Sequence, residues 1–407
     1  MKLLVAIGII ALVSVVGSRL IFIQNKLPLG IRHLLITGME YILIGMLLGK
    51  LGLNILDPKT IFDLQPFLIF GLCWIGFMFG LQFEIRLLKS LPRYYFSIAF
   101  IQSLVTFLCV FCVIYLAVWL FIPLPLPLRL IIALASGSMA ACTAQSAVAI
   151  INKNYTIKYR NLLDLLRYIS GVDGIFALLF FTFGTAALTG LNGGEFSLIE
   201  PLGWLFLSAF AGIMPGLILI ILSRTRFSPS EYMVFILGTI LFCGGLAFQL
   251  NAFPLVSGFV CGIITANLCR HRLRALSIVV RSEKTIYIIL LIMIGAVLEV
   301  DTTFPVFLIG LYFVVRIGGK VAGIYTATRV LRPRYPVPAT FGLSFIAEGG
   351  LAAAIVLDIS LLYPDAARIL IPVLVFSLFL NELIAPRFIL RHLVGTEKPE
   401  ISNPVIN

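Results

Sequence analysis

Four charged residues lie inside long apolar stretches of the sequence: Asp173, Arg316, Lys320 and Glu348. Asp173 is the only acid between positions 168 and 188, a window long enough to cross a bilayer. A charge at bilayer depth costs ~2.5–3.5 kcal/mol even by the lower insertion scales, so such residues face protein or water and mark function by default. Arg316 and Lys320 are spaced i, i+4 and share one helix face. Two cations together in lipid demand anionic partners, and Asp173 and Glu348 are the acids at similar depth. Two acids and two bases are net neutral, which is compatible with burial. Desolvation favours the protonated form of a carboxyl and a nearby cation favours its ionised form. A carboxylate balanced in this way holds either a proton or a metal cation. Competition for one carboxylate is the minimal chemistry of exchange, and the bland alternative is a purely structural ion-pair network.

The rest of the chain must place these groups in a membrane. The 407 residues are 60% hydrophobic and 12% charged, with a mean hydropathy of +1.10. A water-soluble chain of this length cannot hide so much apolar side chain. Thirteen apolar windows are long enough to span: 3–23, 33–50, 64–83, 96–122, 128–151, 166–190, 200–222, 232–250, 252–268, 284–300, 304–328, 337–358 and 366–391. The first could pass for a signal peptide, but it lacks a small-residue cleavage site and is read as a helix. The eighth and ninth windows are joined by a tight turn near Asn251 and Pro254.

The connections test this count. Of the 30 Lys and Arg residues, 23 fall in the odd-numbered connections and the C-terminal end, and five on the other side. Arg316 and Lys320 are the remaining two. A missed helix in mid-chain would scramble that alternation. The positive-inside rule then places the N-terminus outside and the C-terminus in the cytoplasm of a multi-pass protein of the cell inner (plasma) membrane. Glu195, Glu200, Glu299, Asp301, Asp358 and Asp365 all fall on the outer side. The net charge of +12 reflects the cytoplasmic connections, not a nucleic-acid partner. Residues 1–391 read as one transmembrane domain and 392–407 as a short cytoplasmic tail.

Two windows do not read as continuous helix. Residues 135–147 are small and polar at mid-membrane depth. Residues 341–354 are also small, are broken by Gly349 and Gly350, and carry Glu348. Close packing through small residues is the ordinary explanation. The sharper one is a pair of interrupted helices whose freed backbone groups line an ion site, as in inverted-repeat transporters. The two windows are seven helices apart, so they run in opposite directions, as inverted repeats require.

Several short motifs, in order, resemble the monovalent cation:proton antiporter superfamily, in the prokaryotic branches of the sodium/hydrogen exchanger family. The run Phe77-Met78-Phe79-Gly80-Leu81-Gln82 resembles the family's Phe-x-x-Gly-Leu-Glu. The run 257–267 resembles its Gly-x-x-x-x-Gly-x-x-x-Ala-Asn segment, with Gly262, Ala266 and Asn267 in register and Gly258 one position late. Val172-Asp173 falls where the family places an Asp pair, Asn-Asp or Gln-Asp. Arg316-Ile317-Gly318-Gly319-Lys320 matches Arg-x-x-Gly-Lys, and Ala347-Glu348 falls where many members carry Gly-Glu. The resemblance covers roughly residues 30–390. It implies about thirteen transmembrane helices in two inverted repeats with two crossing broken helices, the core segments lying near 128–190 and 304–391. It implies alternating access by an elevator-like core, a panel for homodimerisation, and exchange of a proton for Na⁺ or K⁺ with no cofactor. It makes Asp173 the cation and proton carboxylate, Lys320 its partner, Thr143 a ligand from the broken helix, and Glu348 with Arg316 a structural pair. In place of the family's Thr-Asp-Pro motif stands Thr143-Ala144-Gln145-Ser146, which adds Gln145 and Ser146 to the candidate ligands. Val172 removes the second carboxylate of electrogenic members and implies one-for-one, electroneutral exchange.

Two other readings use the same residues. An ion-coupled organic-anion carrier would use Asp173 for coupling and Arg316 with Lys320 to hold the anion. A non-transporting sensor would keep the fold alone. No nucleophile–base–acid set points to an enzyme. Glu382, beside Asn381, is a weaker ion-site candidate. Glu84 reads as a surface charge, Gly45 and Gly49 as helix packing, the seven cysteines as packing thiols, and the basic run 270–274 as an ordinary cytoplasmic loop that contacts membrane lipid.

Overall fold

The computed structural model describes residues 6–10, 38–86, 93–144, 148, 151–152, 155–189, 199–223, 228–299, 306–333 and 335–394. Gln145 and Ser146, most of the first expected span and the tail beyond Val394 lie outside the described residues. In chain order the helices are α1 (Glu40–Leu48), α2 (Pro58–Asp63), α3 (Gln65–Gln82), α4 (Arg93–Phe121), α5 (Leu126–Ala141), α6 (Arg160–Thr189), α7 (Ile199–Leu222), α8 (Pro229–Gln249), α9 (Pro254–Leu268), α10 (Arg272–Val297) and α11 (Phe307–Leu331). A 3₁₀ helix (Ala339–Phe345) then precedes α12 (Gly350–Leu362) and α13 (Pro364–Leu393). Seven of these are long and apolar enough to cross a membrane, and the 3₁₀ helix with α12 forms an eighth span bent by 60°.

Local chemistry explains the boundaries. Asp57 caps α2 by accepting from the Thr60 N–H at 2.8 Å. Ser228 and Glu231 form a capping box at α8. The turn between α8 and α9 puts Asn251 at φ +52°, and Pro254 opens α9, where its missing N–H is not needed. α11 stops at Arg332, in the left-handed conformation at φ +42°, just ahead of Pro333.

Both suspect windows are interrupted. α5 ends at Ala141, ten residues short of the expected edge, and Cys142 is extended. The second window breaks between Phe345 and Gly350. The two breaks touch, since the Ala144 N–H donates to the Ala347 carbonyl at 3.0 Å. The small residues there allow close approach, and the breaks leave backbone groups to satisfy.

Outside the breaks, glycines set helix distances. A Cβ on Gly76 would lie 2.0 Å from the Leu255 carbonyl oxygen, and one on Gly262 would lie 2.3 Å from that of Phe77. The two family-like motifs are therefore the crossing of α3 and α9, backbone against backbone. Asn267 locks this crossing: its Nδ2 donates to the Phe83 carbonyl at 2.9 Å, and its Oδ1 accepts from the Ile85 N–H at 3.0 Å. Gly45 and Gly49 pack α1 on α10 in the same way.

Four contacts join distant connections, and each stays on one side of the alternation. Lys50 pairs with Glu299 at 3.0 Å on the sparsely charged face. Arg272 pairs with Glu84 at 2.6 Å, Tyr335 donates to Tyr95 at 3.1 Å, and the Lys158 N–H donates to the Leu393 carbonyl at 3.0 Å, all on the basic face. Two expectations change. Glu84 is 6% exposed, an interior acid held by Arg272 and not a surface charge. The basic run is a loop only in part: Arg270 and His271 lie in a turn, and α10 begins at Arg272, so Arg272 and Arg274 are helical. Asp358 is fully buried at the start of α9, its Oδ1 3.5 Å from the Leu255 N–H, where the positive end of the helix favours a carboxylate.

Candidate functional site

The two breaks create the site. Where α5 stops, the carbonyls of Ala141 and Cys142 lose their intrahelical donors; where the 3₁₀ helix stops, Ile346 and Ala347 do the same. In a membrane interior these groups need partners from the protein. α11 supplies them. Lys320 Nζ donates to Ala141 O at 2.6 Å. Arg316 donates to Ile346 O at 2.5 Å, Cys142 O at 3.0 Å and Ala347 O at 3.4 Å. The i, i+4 spacing lets one helix face hold both broken ends. Much of the work of the two buried cations is thus capping backbone.

Asp173, Lys320, Arg316 and Glu348 are all 0% exposed, and they divide into two groups. In the first, α6 carries Asp173 to the end of α5. Thr143 Oγ1 donates to Asp173 Oδ2, and the Thr143 N–H reaches Asp173 Oδ1 at 3.3 Å. Lys320 Nζ lies 3.5 Å from Asp173 Oδ2 and donates to Thr143 Oγ1 at 2.9 Å. Thr143 is therefore the hub, accepting from the lysine and donating to the acid. The Phe345 carbonyl, 3.4 Å from Thr143 Oγ1, belongs to the opposite break.

In the second group, Glu348 accepts from Tyr312 at 2.8 Å, Ser377 at 2.8 Å and Asn381 at 2.9 Å. Arg316 Nε approaches Glu348 Oε1 only to 3.8 Å. The expected Arg316–Glu348 pair is thus a charge contact without a hydrogen bond: both Nη groups reach carbonyls, and Nε stays 3.8 Å from the carboxylate. The Glu348 N–H donates to Glu382 Oε1 at 3.2 Å, so Glu382 is buried behind this group and does not face Asp173 directly.

A cavity of about 430 Å³ leads to the site. It runs from Gln82, Glu283 and Lys284, towards the basic face, to Thr143, Ala144 and Glu348 at the breaks, with Ser170 and Glu382 on its walls. Asp173 itself sits one layer behind Thr143. The carboxylate, the hydroxyl and the backbone carbonyl are hard oxygen donors, the set that suits a small hard cation in preference to a soft metal. Among the described residues no group of three or more His, Cys, Asp or Glu could hold a metal ion.

Sequence reasoning missed Tyr312, Ser377 and Ser170. Tyr312 lies one turn before Arg316 and Ser377 one turn before Asn381, so helical spacing from the charged positions would have found both. Ser170 stands three residues before Asp173 by the same rule. Nothing in the pattern signals the Phe345 carbonyl.

A family model described as "Sodium/hydrogen exchanger, transmembrane" matches residues 4–390. No curated protein matches the sequence. Among solved structures, the sodium proton antiporter MjNhaP1 from Methanocaldococcus jannaschii at pH 8 aligns with a TM-score of 0.65 at 17% identity, covering 96% of this chain and 99% of that one. An electron-microscopy structure of the same antiporter aligns with a TM-score of 0.67 at 16% identity, covering 98% and 100%. At this identity the likeness shows the fold, and it spans essentially the whole of both chains.

Proposed function

The chain belongs to the sodium/hydrogen exchanger family of cation:proton antiporters, and from that premise we propose that Asp173 carries a proton in one direction and Na⁺ or K⁺ in the other. The observation that carries this reading is a fully buried carboxylate with one hydroxyl partner and one distant amine, set at two touching helix breaks, one layer behind a cavity that reaches Thr143.

The cycle follows from the geometry. A cation enters from the basic face, which the positive-inside rule assigns to the cytoplasm. Thr143 turns its hydroxyl oxygen to the ion and Asp173 supplies charge. Lys320, at 3.5 Å, neutralises the vacant carboxylate and is displaced as an interaction partner when the ion arrives. Protonation of Asp173 removes its charge and releases the ion. The site faces one side at a time because the segments carrying Asp173, Thr143 and Lys320 move together against the rest, which is alternating access. Gln145 and Ser146 follow Thr143 directly and are further candidate ligands. Glu348 and Arg316 hold the second break closed throughout. With Val172 before it, Asp173 offers one titratable site, so exchange is one-for-one and electroneutral. The protein works as a homodimer in the inner membrane, with its N-terminus outside. The organic-anion reading loses its anchor, since Arg316 and Lys320 are already engaged by backbone carbonyls.

Dequenching of a pH-gradient dye in inside-out vesicles tests this directly. Addition of Na⁺, K⁺ or Li⁺ dissipates the gradient with wild-type protein and not with Asp173→Asn. A wild type that is inserted correctly and silent to all three cations overturns the antiport reading in favour of a sensor. A robust current during transport overturns electroneutrality alone.

A further inference from the structure

A second cavity, of about 880 Å³, opens on the basic face away from the ion site. Three separate parts of the chain line it. Lys158 and Arg160 come from the approach to α6 and its first residue. Tyr335 and Thr340 come from the segment entering the 3₁₀ helix. Arg391 and His392 come from the last turn of α13. Three permanent cations and a histidine converge, and no carboxylate is among the lining residues.

The walls are tied to one another. The Lys158 and Tyr159 N–H groups both donate to the Leu393 carbonyl, at 3.0 and 3.2 Å. His392 bridges to the 3₁₀ segment through Thr340 Oγ1 at 3.1 Å and Ser344 Oγ at 2.9 Å. The first residues of α6 line the same space, and first-turn N–H groups lack intrahelical acceptors. A solvated basic loop spreads its charges outward. Here Lys158, Arg160 and Arg391 line one concavity, where a single anion meets all three charges.

We propose that this cavity binds a phosphate-bearing anion and that its occupancy tunes antiport. Phosphate oxygens match the guanidinium forks of Arg160 and Arg391, the Lys158 ammonium and the helix N–H groups. The volume exceeds what a phosphate group alone fills, so the rest of a lipid headgroup or of a soluble phosphate compound fits as well. The ligand braces the elements that form the ion site. α6 carries Asp173, and the 3₁₀ helix ends at Phe345, whose carbonyl faces Thr143. Binding stands independently of the antiport reading; the tuning rests on it.

The test uses the full chain in nanodiscs of phosphatidylcholine, wild type against Arg160→Gln/Arg391→Gln. Thermal unfolding is followed as inorganic phosphate is added, with chloride at equal ionic strength as control, and again in nanodiscs containing phosphatidylglycerol. A saturable rise in Tm with phosphate, at least about tenfold weaker in the double variant, assigns a soluble phosphate ligand. A rise with phosphatidylglycerol alone, weakened likewise, assigns a lipid headgroup. Lys158→Gln, an exposed loop change, gives an intermediate loss and guards against misfolding of the double variant. No response to either probe, or equal responses in wild type and variants, overturns the proposal. In vesicle assays the ligand changes the wild-type antiport rate and leaves the variant rate unmoved; equal rate changes overturn the tuning. A wild type that binds but does not exchange leaves the site standing and sinks the antiport reading instead.

Discussion

Asp173 and Glu348 are both fully buried acids beside a helix break, yet they are held in opposite ways. Glu348 receives three neutral donors, from Tyr312, Ser377 and Asn381, with Arg316 close by. Asp173 receives one hydroxyl, one long N–H contact and an amine at 3.5 Å. A carboxylate held by three fixed donors has most of its acceptor sites occupied. One with few donors must find compensation elsewhere, by taking a proton, a cation or the lysine. The same residue chemistry therefore meets two different settings in the two halves of the centre, and the proposed function makes the Glu348 setting structural and the Asp173 setting exchangeable.

The strongest way to break this contrast is to neutralise each acid in turn. Asp173→Asn abolishes cation-dependent proton movement, while Glu348→Gln, still able to accept from its neighbours, keeps exchange with an unchanged half-saturating cation concentration. If Glu348→Gln stays folded and is as inactive as Asp173→Asn, the division fails. Next in size, Glu348→Ala strips the charge from beside Arg316 and orphans three donors, at about 3–5 kcal/mol. Thermal unfolding in detergent reads this as a large drop in Tm, against a small change for Asp173→Ala. A drop of equal size in both would mean that Asp173 is equally structural.

Smaller effects sharpen the roles on the exchanging side. Thr143→Val removes a donor worth about 1–3 kcal/mol, so the half-saturating cation concentration rises about tenfold or more, and Thr143→Ser restores it. A serine variant as weak as the valine one would count against the hydroxyl. Lys320→Gln keeps a donor for the Ala141 carbonyl and deletes the cation that favours ionised Asp173. The cation-concentration profile of exchange in vesicles moves to lower concentration, because the lysine no longer competes with the ion for the carboxylate. An unmoved profile would reduce Lys320 to a helix cap.

Much of the fold was legible in the chain. Composition and length make it a membrane protein, since only helices or closed barrels satisfy the backbone in lipid. The lopsided distribution of Lys and Arg marked the sides, and the contacts between connections respect it. Glycine and small residues marked both breaks, and the lone acid in its span marked the candidate site. These are one-dimensional signals of depth, spacing and backbone freedom, so sequence is enough to read them. What sequence could not assign is which lone pair each charge faces. Two cations and two acids in lipid suggested two ion pairs, and both contacts form, at 3.5 and 3.8 Å, but Lys320 also caps Ala141 across 179 residues and Arg316 caps Cys142 across 174. Glu84, read as a surface charge, is buried against Arg272. Partner choice depends on distances between segments that only packing brings together. The tertiary structure alone therefore decided that Glu348 meets three fixed side-chain donors while Asp173 meets the Thr143 hydroxyl and the Lys320 amine.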